Sequence, residues 1–406
     1  MSPAAGAAEA AAATPVSPAV VLQASGPNGL GIIRALGREG IPAIACDHDP
    51  RALGLLSRYA TPCFTRNPLT DPAGFADDVV ALGGRLAAPG VLFATHDETL
   101  IALGPHEERL AGRFHRPWSP WERMGPALDK AAQHAAARAC GFPVPASVVV
   151  RDEGDLAAAA GELRFPVVVK PRRAPEFRAR AHTQLLECVN LEQLRRVWDI
   201  VGPYEPQVCE LIPGGDERIW TLGSYRDAAG VPLASFTGRK LRQWPTRFGT
   251  GRAAEARWDA EYAARGHRLL DELGFHGLSQ LETKRDPRDE RDYLVEVNTR
   301  SWLWIDLAVA AGVNLPLAAY LDAVGRPRTW PAGHRSDIRW LLTSKHIGGS
   351  LREIHAREWS WGEFLATLRP PWRDGVWARD DPAPARGQLA RQLRALGGRL
   401  GRRLGG

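Results

Sequence analysis

Apolar residues fall into short buried-looking runs in the first third of the chain and into longer alternating runs after the middle. Residues 19–23 form an apolar strand pattern. They lead through Ala24-Ser25-Gly26-Pro27-Asn28-Gly29-Leu30-Gly31 into a helical run over 32–39 and a second strand over 41–46. Strand, glycine turn, helix and strand in that order predict a βαβ unit with a right-handed crossover. A helix near 72–82 and a strand over 90–94 continue it as a parallel α/β sheet.

A Trp/Pro-rich connector over 117–126 separates this region from an amphipathic helix over 127–140. Gly141, Pro143 and Pro145 give that helix a regular stop. Strands are predicted over 146–150, 165–170, 207–212, 218–225 and 233–241, with helices over 152–161 and 259–273. Residues 245–251 read as a loop, and 302–312 and 315–324 as helices. No internal repeat is present.

The alternating runs 278–283 and 293–298 flank a turn-rich, charged connection and predict an antiparallel hairpin. Alternation puts Glu296 and Asn298 on one face, with Leu294 opposite Val295 and Val297. If the strands pair, Glu282 lies beside Glu296. Carboxylates about 4 Å apart repel by about 4 kcal/mol at an effective dielectric near 20, and a divalent cation removes that penalty. An oxygen-only Glu282, Glu296 and Asn298 set suits hard Mg²⁺.

Composition narrows the class. At 406 residues the chain can hold two or three domains. Cys46, Cys63, Cys140, Cys188 and Cys209 are odd in number and contain no CxxC pair, so neither a disulfide framework nor a zinc site is implied. No apolar run reaches membrane-spanning length, and the first residues lack the pattern of a signal peptide. A cytoplasmic enzyme is the default expectation. Of 52 basic residues, five are lysine and the other 47 arginine. Lysine is a compact point charge suited to phosphate, which singles out Lys130 and Lys170.

The glycine turn does not fit GxGxxG, and Asp47 does not rescue a dinucleotide reading. Gly26 and Gly29 are instead expected to permit a tight turn into a helix. Thr95-His96-Asp97-Glu98 lies at the carboxyl end of a strand, where open α/β sheets place ligands. In the run 238–242, Lys240 and Arg239 fall on opposite strand faces. Either could present charge to a substrate carboxylate, or the strand could be an edge guarded by charge. Trp302 and Trp304 are expected in the core. The last residues carry Arg386, Arg391, Arg394, Arg399, Arg402 and Arg403 among helically spaced leucines. That spacing fits weak contact with anionic lipid or nucleic acid, but glycines favour a frayed, solvated tail.

Taken in order, these pieces resemble an ATP-grasp ligase of the carboxylate–amine ligase group. Asp129-Lys130 before an alanine-rich helix is similar to the family's first phosphate lysine, and 165–171 to the strand carrying the second, Lys170. Residues 207–212 with Gly214-Gly215-Asp216 are similar to the hinge that reads adenine through its backbone, and Glu282, Glu296 and Asn298 match the metal positions. The resemblance implies an α/β and α+β chain: a disordered leader (1–17), an N-terminal Rossmann-like parallel-sheet domain (18–120), a two-lobed ATP-grasp fold (121–326, with a mobile nucleotide lobe over about 146–212), a C-terminal extension (327–380) and a basic tail (381–406). ATP would phosphorylate a carboxylate and an amine would attack the acyl phosphate. Lys130 and Lys170 would hold phosphate. Gln207, Glu210, Ile212 and Asp216 would line adenine and ribose. Mg²⁺, with Mn²⁺ an alternative, would sit on Glu282, Glu296 and Asn298, and Arg300 would face the transferred group. Small-molecule carboxylate and amine partners are implied, with no nucleic acid; a homodimer is left open. A kinase that stops at a phosphorylated product, an inactive ATP-binding module and a dehydrogenase are the competing classes. The family's glycine-rich phosphate lid is replaced over 172–182 by Arg172, Arg173, Arg178, Arg180 and His182.

Overall fold

Proline at the first position of a helix, with an extended glycine before it, sets how the first crossover begins. Strand β1 (Ala19–Leu22) runs into helix α1 (Pro27–Gly37), whose cap, Gly26, offers no side-chain bond. The glycine turn is therefore the first turn of the helix, earlier than the predicted start at Ile32. Gly29 is required by space, since a Cβ there would lie 2.7 Å from the Cα of Ala24. The computed structural model describes residues 16–171, 185–204, 206–245 and 248–404. The expected lid over 172–182 lies outside the described residues, as does the expected leader up to residue 15.

Strands β2 (Ala43–Asp47), β3 (Ala60–Phe64), β4 (Gly90–Ala94) and β5 (Phe114–His115) complete a parallel sheet in the order β3-β2-β1-β4-β5. Helix α2 (Pro72–Gly83) packs beside it. The sequence reading missed β3. It is an edge strand containing Pro62, with Thr61, Pro62 and Phe64 exposed, so it has little apolar signal. The strand order reverses between β1 and β4, which opens a crevice at their carboxyl ends. Helix α3 (Asp97–Leu103) starts there.

The single helix predicted over 127–140 is two, α4 (Trp121–Leu128) and α5 (Lys130–Ala139). Asp129 stands between them in extended conformation, and its carboxylate accepts from the N–H groups of Ala131 and Ala132 at 2.7 and 3.0 Å. That cap starts a new helix with Lys130 in its first turn. Next comes a small lobe with its own core. In it, helices α6 (Glu153–Glu162) and α7 (Leu191–Val201) accompany an antiparallel sheet in the order β6-β9-β7-β8. Its strands are β6 (Ser147–Val149), β7 (Val167–Pro171), β8 (Leu186–Cys188) and β9 (Pro206–Glu210).

The largest sheet comprises β10 (Ile219–Arg226), β11 (Pro232–Trp244), β12 (Thr250–Ala256), β13 (Gly277–Arg285), β14 (Asp292–Asn298), β15 (Arg339–Leu341) and β16 (Trp372–Asp374). Their order is β14-β13-β10-β11-β12-β15-β16. Strands β12, β15 and β16 were not predicted, and the last two come from the C-terminal extension. Strand β11 lies between β10 and β12, so the edge-strand reading of Arg239 is wrong. One departure from alternation matters. The pairing of β13 with β14 shifts after Glu282, giving Glu282 opposite Glu296 but Thr283 opposite Leu294. This extra residue lets Leu294 and Val297 both reach the same core. They do not fall on opposite faces as strict alternation required.

Helix α8 (Ala260–Glu272) covers one side of the sheet. The other side packs on α9 (Ile305–Ala310) and α10 (Leu315–Ala323), which also meet α1. Trp302 and Trp304 are buried in that shared core, as expected. Helices α11 (Thr343–His355) and α12 (Trp361–Thr367) belong to the C-terminal extension. The tail is not frayed: it forms helix α13 (Ala383–Leu404). Its root is clamped to the N-terminal domain. Buried Asp381 accepts from Arg34 Nε at 3.0 Å, Ser57 Oγ at 2.8 Å and the Arg58 N–H at 3.0 Å. Among the described residues no helix is long and apolar enough to cross a membrane.

Asp381→Ala leaves the buried Arg34 guanidinium without its counter-ion, and such losses cost about 3–5 kcal/mol. Urea unfolding of the variant is expected to show a loss of that order; a change within about 0.5 kcal/mol, typical of a surface site, would contradict the clamp.

Candidate active site

The hairpin of β13 and β14 places Glu282 directly opposite Glu296 and Gln280 opposite Asn298. Across β10 the same row continues to Thr221 and Gly238, and Lys240 stands two residues further along β11. Its ammonium lies 2.7 Å from Glu282 Oε1, with both side chains buried. Arg239 points the other way and pairs with Glu255 on β12 at 2.5 Å. The predicted opposite-face arrangement therefore holds, and it is Lys240 that joins the acid pair.

Lys130, in the first turn of α5, lies 3.6 Å from Glu296 Oε2. The Asn298 amide donates to Glu296 Oε1 at 3.1 Å and to Gln280 Oε1 at 3.2 Å. Arg300 donates to Asn298 Oδ1 at 3.0 Å. It also pairs with Asp97 from the crevice of the N-terminal sheet, Nε to Oδ1 at 2.8 Å. Lys170, near the end of β7, feels the charges of this group. Its pKa is lowered by burial and by Lys130, against the opposing pull of Cys209 and Glu296. His134, one turn beyond Lys130, is pushed down to about 4 by burial, Lys170, Arg138 and Lys130. Both lysines and Glu296 thus share one electrostatic neighbourhood.

The two glutamates respond differently. Burial raises the pKa of Glu282 despite Lys240. Burial also opposes ionisation of Glu296, but Lys130, the Asn298 hydrogen bond, Lys240 and Arg300 outweigh it and hold this carboxyl down to about 2. The donor set is all oxygen and supplied by adjacent strands, which fits a hard divalent ion. Here Lys240 and Lys130 supply the neutralising charge. Asn298 turns its amide nitrogen, not its oxygen, towards Glu296, so its use as a ligand requires the amide to reverse.

At the expected adenine end, the N–H groups of Glu210 and Leu211 bond to Ala146 and Pro166. The Ile212 N–H takes no backbone acceptor among the described residues. Gln207 donates to Ser147, and Glu210 accepts from the Arg164 N–H. Asp216 is buried and both its oxygens accept from Gln243, each at 2.8 Å. Its contacts therefore tie the turn before β10 to β11, and a ribose would have to use the lone pairs left over.

No protein-family model matches the chain. It is 24% identical over 240 residues to the D-aspartate ligase of Enterococcus faecium, covering 55% of this chain and 56% of that protein. It is 25% identical over 284 residues to the D-alanine–D-alanine ligase of Delftia acidovorans, covering 67% and 77%. The chain thus spans little more than half the length of the first of these relatives. Among solved structures, N5-carboxyaminoimidazole ribonucleotide synthetase in complex with ADP superposes with a TM-score of 0.61 at 14% identity, covering 85% of this chain and 87% of that one. The biotin carboxylase domain of Hydrogenobacter thermophilus 2-oxoglutarate carboxylase, with MgADP and bicarbonate, gives 0.60 at 17% identity, covering 79% and 73%. The chain has the fold of these ATP-grasp structures.

Within the ATP-grasp frame, the sequence reading missed the residues that hold its site together. Gln133 donates to Val297 O at 2.7 Å and accepts from the Val297 N–H at 2.9 Å. It thereby fixes the helix of Lys130 against the strand of Glu296. Helical spacing from Lys130 shows Gln133 on a neighbouring face, but nothing in the sequence names its partner. Asp97 was visible as a strand-end acid; its pairing with Arg300, 203 positions away, was not. Gln280 contacts both Glu282 and Asn298.

Two measurements check this electrostatic arrangement. Lys240→Met leaves the buried Glu282 unpaired, so a destabilisation of about 3 kcal/mol is expected. Added Mg²⁺ should raise the melting temperature of this variant more than that of wild type; equal effects would exclude the acid pair as the binding site. For Glu296, the folded pKa near 2 lies below the ordinary 4.5. Its contribution to stability is therefore present above 4.5 and lost as the pH falls through 2. The stability gap between wild type and Glu296→Gln should narrow over that window in urea titrations. A gap independent of pH would contradict the shift.

Proposed function

We propose that this chain is an ATP-dependent carboxylate–amine ligase that activates a carboxylate as an acyl phosphate. One observation supports the reading: Lys130, Lys240, Glu282, Glu296, Asn298 and Arg300 are linked side chain to side chain from separate elements, and Lys170 lies within the electrostatic reach of Lys130 and Glu296. Phosphoryl transfer needs charge neutralisation and in-line positioning more than a covalent nucleophile. Lys130, from α5, and Lys170, from β7, supply charge for phosphate oxygens. The hinge backbone at Ile212 supplies a donor for adenine, with Gln207, Glu210 and Asp216 around it. Mg²⁺ or Mn²⁺ would be held by Glu282, Glu296 and Asn298 and, when bound, neutralises phosphate charge.

In the reaction, a carboxylate oxygen attacks the γ-phosphorus and ADP leaves. The amine nitrogen then attacks the acyl carbon, phosphate leaves, and the nitrogen loses a proton to form the amide. Arg300, held by Asp97, stabilises charge on the transferred group. Lys240, which is paired with Glu282 here, would face the substrate carboxylate if a metal held by Glu282 took over that pairing. Arg239, engaged with Glu255, has a supporting part only. The names of the relatives make amino acids the first substrates to test, D-aspartate and D-alanine before others. We read the chain as a cytoplasmic protein, and as a homodimer by analogy with the biotin carboxylase dimer; light scattering that returns one chain mass would remove the latter.

ADP release that requires both an amino-acid carboxylate and an amine is the expected activity. Lys170→Ala and Glu296→Ala should each lower it by at least about 10²-fold with the fold retained by circular dichroism. Wild-type rates in either variant would overturn the assignment, and a stable phosphorylated product without amide would replace ligation by a kinase activity.

A further inference from the structure

None of the site residues named above lies on the C-terminal helix, which is built as a surface element. After Asp381 the chain contains Arg386, Arg391, Arg394, Arg399, Arg402 and Arg403 and no acidic residue. The inner face of α13 is defined by its contacts. Gly387 lies against Leu56, Gln388 donates to Ser344 on α11, and Arg391 donates to Arg51 O at 2.7 Å. Leu389 and Leu393 lie about 200° around the helix from Gly387 and Arg391 respectively. They are 56% and 59% exposed. In the sequence Leu396 and Leu400 continue that spacing. More exposed apolar side chains stand in the same C-terminal region, Ile347 and Leu351 on α11 and the indole of Trp377.

We propose that α13 docks this protein on an anionic lipid surface, the leucines entering the headgroup boundary and the arginines meeting lipid phosphates. A long helix with arginines beside a leucine stripe has the chemistry of an interfacial anchor. A nucleic-acid backbone would use the arginines but has no need of an exposed leucine stripe. A second copy of the same helix would bring its arginines against these, with no acid in either to offset them. The clamp at Asp381 fixes the root of the helix, so docking orders little new chain.

Flotation of the full chain with phosphatidylglycerol-containing vesicles tests this. The wild type should float with them, release as salt rises, and bind pure phosphatidylcholine vesicles about tenfold less or weaker. Leu389→Glu with Leu393→Glu should lower the bound fraction about tenfold while leaving the thermal melt unchanged. Arg399→Ala with Arg402→Ala and Arg403→Ala, a second variant away from the packed root, should weaken binding and flatten its salt dependence. Failure of wild type to float, or flotation undiminished in both variants, overturns the proposal. So does a gel shift of duplex DNA without flotation, or a concentration-dependent dimer abolished by the leucine changes without flotation.

Discussion

Two carboxylates held side by side by strand register set the terms for everything near them. Glu282 and Glu296 face one another because β13 and β14 pair at that row. Like charges about 4 Å apart repel by about 4 kcal/mol in a dielectric of 20. The protein answers with Lys240 from inside the sheet and Lys130 from a helix terminus. Neither lysine ties up all four carboxylate oxygens. The pair is consequently stable as it stands and also able to exchange part of its protein charge for a harder, more compact cation.

The same row of residues joins three structural units. Arg300 connects Asn298 on β14 to Asp97 at the crevice of the N-terminal sheet. Gln133 locks α5 to the backbone of Val297. Lys170 enters from the small lobe, whose core is separate from the others. A nucleotide seated between Lys130 and Lys170 would bridge the small lobe and the large sheet, while the Arg300–Asp97 pair ties β14 to the N-terminal sheet.

Local periodicity made much of this visible in the sequence. The first βαβ unit, the hairpin with Glu282 opposite Glu296, and the burial of Trp302 and Trp304 all followed from alternation or apolar runs. The misses share a physical origin, because each depends on a partner distant in sequence. Strand β3 has little apolar character because it is an edge. Strands β15 and β16 become strands by extending β12. The bulge between Glu282 and Thr283 is invisible to strict alternation, yet it lets Leu294 and Val297 share a core while Glu296 joins the acid pair. Helix α13 looked frayed because its anchor, Asp381, binds Arg34, Ser57 and Arg58 more than 300 positions earlier. Lys130 and Lys170 stood out because lysine is rare in this arginine-rich chain, and Lys240 because of its strand position beside Arg239. Gln133 and Gln280, ordinary polar residues, carried no such mark.

A crystal structure grown with Mn²⁺ and a non-hydrolysable ATP analogue tests the central claim most directly, through the anomalous signal of the metal. Manganese density between the carboxylates of Glu282 and Glu296, with the triphosphate flanked by Lys130 and Lys170 and the Lys240–Glu282 contact loosened, is the result this account requires. Nucleotide bound in the cleft with manganese elsewhere, and Lys240 still seated on Glu282, would contradict it.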